Sequence, residues 1–207
     1  MSLPGRAWFW ISALIFSALT AAPAPAAPIT IEGITFSDEL GDFTLEQVTG
    51  KGSLDDPFIV VENITGSAPI LVIRGLTFGF GNRIGSQHII GMAITKLAIN
   101  RTGHAWNQFR LEVRTEPDTP SPYGDGLSFA QGWQPTRPVR SHGFDHAQVT
   151  DEPFDAIDFD KGLIPVGSSA SFDFFVTDMT ERPQIYLLQA PVRAVACELR
   201  LSTSRLC

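Results

Sequence analysis

Cysteine is almost missing from this 207-residue chain: two occur, Cys197 and Cys207, both among the last eleven residues. Two cysteines at one end exclude a disulfide framework and a cysteine-based zinc site, although an oxidising compartment would let these two form a disulfide with each other. Lysine is scarce too, three residues against twelve arginines. With 22 acidic residues against 15 basic ones the net charge is −7, so the chain has no electrostatic reason to hold nucleic acid or an anionic membrane surface. No window of 12 or more residues carries a helical apolar stripe, and beyond residue 26 no apolar run is long enough to span a bilayer. A G-x-S-x-G elbow is absent, and no cysteine stands where a Cys-His pair would need it. "GFGNRIG" (Gly79–Gly85) has Ile84 where a dinucleotide loop needs its third glycine, and no helix pattern follows, so it reads as glycine-rich turns.

What is present begins with an export pattern. Arg6 precedes "AWFWISALIFSALTAA" (Ala7–Ala22), sixteen residues without a charge, and "APAPAA" then offers Ala24 and Ala26 to a signal peptidase. A short basic start, an apolar core and an A-x-A end predict a secretory signal peptide over residues 1–26. A membrane anchor wants about 20 apolar residues, and this run is shorter and ends in prolines. The expected location is therefore secreted or periplasmic, as a protein without a membrane span in its mature chain. Cleavage leaves enough chain for one sizeable domain or two small ones.

Strand patterns dominate the remainder. "ITIEGITF" (Ile29–Phe36) alternates until Gly33, where the phase slips as at a bulge. "FIVVENI" (Phe58–Ile64) and "ILVIRG" (Ile70–Gly75) are short, continuously apolar and β-branched, which predicts strands covered on both faces. In "WNQFRLEVRT" Phe109, Leu111 and Val113 face one way, and Gln108, Arg110, Glu112 and Arg114 the other. "SASFDFFVTD" turns Ala170, Phe172, Phe174 and Val176 inward, and "QIYLLQ" (Gln184–Gln189) gives a last strand. Eighteen glycines and fifteen prolines sit mostly between strand-length runs. The expected fold is all-β, a two-layer antiparallel β-sandwich of immunoglobulin-like or jelly-roll-like type. Residues 27–88 supply strands of that sandwich or of a small β subdomain, 89–195 the main sandwich, and 196–207 a tail.

Acidic residues crowd "DEPFDAIDFDKG" (Asp151–Gly162). On a strand, Ile157 and Phe159 point inward while Asp158 and Asp160 lie side by side on the wet face. An EF-hand loop needs a third acid where Gly162 stands, so that reading fails. A looser calcium site would use Asp158 and Asp160 as ligands, with Asp55 and Asp56 joining from elsewhere. The plainer reading gives no cofactor and makes both aspartates solvated groups that protect an edge strand from mispairing. "HGFDH" sets His142 and His146 four apart, a zinc spacing on a helix. Gly143 and the upstream prolines predict a loop instead, where that spacing carries no geometry. A metal-dependent hydrolase built on these histidines and nearby acids is the enzymatic reading.

Two long connections, "EPDTPSPYGDG" (Glu116–Gly126) and "GWQPTRPVRSHG" (Gly132–Gly143), are where a binding site would sit. Tyr123 and Trp133 there could stack on sugar rings, with Asp125 and Gln131 for hydroxyls; the plainer alternative folds both rings down over the sandwich end. "NIT" at Asn63 and "NRT" at Asn100 match the glycosylation sequon.

Three pieces, "INRTGHAWNQFRLEV", "GDGLSFAQG" and "FDAIDFDKGLIPVGSSASFDFFVTD", follow one another between Lys96 and Gln189. In that order they resemble exported bacterial proteins of the PEP-CTERM-associated type. The resemblance implies a β-sandwich at the cell surface or in the extracellular matrix, with no catalytic residues to carry over. Where that group ends in Pro-Glu-Pro, an apolar span and arginines, this chain ends "ACELRLSTSRLC". The expectation is thus a non-enzymatic exported protein, structural or adhesive, with extracellular polysaccharide or surface proteins as partners. A carbohydrate-binding module is the alternative.

Overall fold

The computed structural model describes residues 27–130, 138–150 and 152–194. The expected signal segment, Gln131, Trp133, Cys197 and Cys207 lie outside them. The chain is all-β, two sheets packed face to face as a sandwich. The first sheet runs in the order β1 (Ile29–Ile31), β2 (Ile34–Ser37), β5 (Ile70–Leu76), β14 (Arg182–Arg193), β7 (Trp106–Glu116), β12 (Ala156–Gly162) and β11 (Phe144–Thr150), with β8 (Thr119–Pro120) beside β7. The second runs β10 (Arg140–His142), β13 (Ser169–Asp178), β6 (Ile90–Asn100), β4 (Phe58–Ile64) and β3 (Phe43–Thr49), with β9 (Leu127–Ser128) beside β13.

Strands from residues 27–88 enter both sheets: β2 pairs with β5 and β5 with β14, while β4 lies against β6. Among the described residues every strand pair is antiparallel except β4 with β6. The chain leaves β4, crosses to the other sheet as β5, and returns as β6. Two crossings restore the direction, so β6 lies parallel to the strand it left.

Alternation decides which side chains fill the gap between the sheets. Phe109 of β7 and Phe172 of β13 stack across it with ring centroids 4.5 Å apart, and Phe159 of β12 meets Phe172 edge-on at 4.8 Å. Further along, Phe36 and Phe58 join the two sheets at 5.3 Å. Trp106 is fully buried, its indole N–H donating to Thr102 Oγ1 at 3.0 Å.

Four local expectations are corrected. Gly33 does not mark a bulge. Glu32 and Gly33, at φ 53° and 83°, form the two-residue turn of a hairpin in which Ile31 faces Ile34, and positive φ at both positions matches the twist of the flanking strands. β4 is not covered on both faces: its residues alternate, and Ile59 is 43% exposed. β12 is not an edge strand, because β11 pairs along its outer side. The predicted histidine loop accordingly becomes two strands, β10 in one sheet and β11 in the other, joined at Gly143.

Candidate functional site

Strands β4, β6 and β14 each place a polar side chain where their own pattern calls for an apolar one. On β4 the inward positions are Phe58, Val60, Glu62 and Ile64; on β6 they include Met92, Ile94, Lys96 and Ala98; on β14 they include Ile185, Leu187 and Gln189. Glu62, Lys96 and Gln189 are each fully buried. Asp38, just past the end of β2, is buried as well, and its Oδ2 accepts the Leu45 N–H at 2.9 Å. The sandwich thus gathers these four polar side chains inside its core.

The parallel register sets the central contact. Val60 lies opposite Lys96 and Glu62 opposite Ala98, so Glu62 and Lys96 are inward-facing diagonal neighbours on adjacent strands. Lys96 Nζ and Glu62 Oε2 form an ion pair whose side chains are both 0% exposed. Apart from that contact the groups are poorly satisfied. Neither Glu62 oxygen, Lys96 Nζ, either Gln189 amide atom nor Asp38 Oδ1 has a well-aligned hydrogen-bond partner. Gln189 stands close enough to Glu62 to favour its charged form, but without the alignment of a full hydrogen bond.

Burial pushes the Glu62 carboxyl above its usual range, the Lys96 charge opposes that, and the Asp38 carboxylate adds to the rise. Burial likewise pushes Lys96 down, against the pull of Glu62. Both groups move toward their neutral forms, as expected where a low dielectric penalises charge. An amine and a carboxyl are therefore held in contact, dry, and disposed to lose their charges. These residues escape the sequence reading, yet the period-2 pattern carried the signal: each occupies an inward position of a strand.

The residues singled out from the sequence are placed differently. Asp158 lies opposite Arg110 and takes its guanidinium through both oxygens, at 3.1 and 2.9 Å. Asp160 lies opposite His146, with Nδ1 and Oδ1 3.0 Å apart. They do share the wet face, but each is engaged by a cross-strand partner. Asp55 and Asp56 sit in the turn ahead of β4, a strand of the other sheet. His142 and His146 belong to different sheets, which removes the zinc spacing. Among the described residues no group of three or more His, Cys, Asp or Glu is placed to hold a metal ion.

Tyr123 does not fold down. It is 60% exposed, on a segment held by the Pro122–Phe154 bridge. Asp125 is not free beside it: Ser121 Oγ and the Leu127 N–H donate to its carboxylate at 2.8 and 2.9 Å. The sequon residue Asn100 is buried, its amide donating to the carbonyls of His104 and Ile164 at 2.9 and 3.0 Å, so its nitrogen is closed to a glycan. Comparison of the chain with protein-family models, curated proteins and solved structures finds no match.

Proposed function

We propose that this chain is an exported, non-enzymatic β-sandwich with a structural or adhesive role at the cell surface, in the periplasm or in the extracellular matrix. The observation that carries the reading is the placement of Lys96, Glu62, Gln189 and Asp38. All four are sealed between the sheets, where they can join strands but cannot meet a substrate from solution. The export pattern of residues 1–26 and the resemblance to surface proteins of the PEP-CTERM-associated type point the same way. Fractionating cells that produce the full chain, with the N-terminus determined, tests the first half. The expected product starts at Ala27 and lies outside the cytoplasm; a cytoplasmic chain retaining residues 1–26 refutes it.

A second reading has one observation in its favour, the exposure of Tyr123. Flat apolar rings suit sugar faces, and a glycan array compares the parent with Tyr123→Ala. Binding lost in the variant supports a carbohydrate-binding module; no binding above background removes it.

A further inference from the structure

Lys96 and Glu62 stand in contact on neighbouring strands, sealed from water, with no aligned hydrogen bond to either group. We propose that they condense, Lys96 Nζ with Glu62 Cδ, into an intramolecular amide that ties β4 covalently to β6. This chemistry is internal to the fold and stands whether or not the chain is exported.

Three features support it. The reacting groups are held by two paired strands in a packed core, and well-oriented intramolecular groups reach effective molarities of about 10⁵ to 10⁸ M. The amide removes two buried charges, whose desolvation is expensive and otherwise offset by a single contact. Finally, the product presents one N–H and one C=O, and the Gln189 amide, facing Glu62 from β14 with both atoms unengaged, offers the complementary acceptor and donor.

The atoms balance without a further reactant. The lone pair of uncharged Lys96 Nζ adds to Cδ of the protonated Glu62 carboxyl, forming the C–N bond and moving the carbonyl electrons onto oxygen. The ammonium proton of this adduct passes to the hydroxyl oxygen. As the carbonyl re-forms, the C–OH bond breaks and one water leaves. Burial supplies the reactive forms, since it disfavours the charge on both groups.

Intact-mass spectrometry of the purified full chain, set against the N-terminus found in the same sample, tests the bond. The expected mass is lower by one water, with tryptic peptides 52–74 and 84–101 joined through Glu62 and Lys96 and no cleavage after Lys96. The unmodified mass overturns the proposal. So does a water loss that maps elsewhere or persists in Lys96→Arg, and so does an ammonia loss with the junction at Gln189.

Discussion

Replacing Lys96 by methionine keeps the length of the side chain and removes its amine, leaving Glu62 alone between the sheets. An unpaired charge there is costly, so Glu62 takes up a proton on folding. In the unfolded chain it titrates at its ordinary value, 4.5. Between that pH and its raised folded value the native state holds a proton the unfolded state lacks. Stability therefore falls as pH rises through this window, by about 1.4 kcal/mol per pH unit. The loss grows until the folded-state value is reached, and each kcal/mol lowers the melting temperature of a domain of this size by about 2–4 °C. The reference is the double variant Lys96→Met/Glu62→Leu, which has neither group and shares every other titrating residue. Neither variant can form the amide, so the comparison holds with or without it. Chemical denaturation of both from pH 4 to pH 8 should show curves that converge at low pH and separate as pH rises, with the double variant the more stable. Parallel curves would refute the burial and protonation of Glu62.

Phe172 contacts Phe109, Phe144 and Phe159 within the core; Phe172→Ala should cost about 3–5 kcal/mol, measured by denaturant unfolding. Asp158→Asn breaks a half-exposed pair with Arg110, the side chains being 46% and 37% exposed, and should cost less than about 1 kcal/mol, shrinking as salt is raised. Millimolar calcium should leave the melting temperature of the parent unchanged, whereas a rise abolished by Asp158→Asn would make that face a calcium site. Gly143 has φ 128°, and a Cβ there would stand 2.7 Å from Ile164 Cδ1. Gly143→Ala should therefore destabilise by roughly 1–3 kcal/mol, read as a lower denaturation midpoint with an unchanged slope.

The sequence by itself determined the class of fold, because period-2 alternation is a local property. Phe109, Leu111 and Val113, and likewise Phe172, Phe174 and Val176, need only their own strand to tell which face is dry. The same rule set Asp158 and Asp160 side by side in the wet. What lies across from a residue is another matter. Nothing near Asp158 in the chain announces Arg110, and nothing near Asp160 selects His146; strand pairing over 48 and 14 residues brings them together. Pairing likewise made β12 an interior strand, since whether "HGFDHAQVT" is loop or strand depends on the free edge it finds. The buried cluster shows the division most clearly. Alternation along each strand marks Glu62, Lys96 and Gln189 as inward, but a lone inward polar residue is ambiguous. Only the parallel return of β6 beside β4, with β14 facing them from the other sheet, makes one chemical site of three separate exceptions. Side-chain facing follows from bonds along one strand. Contact follows from the path of the whole chain.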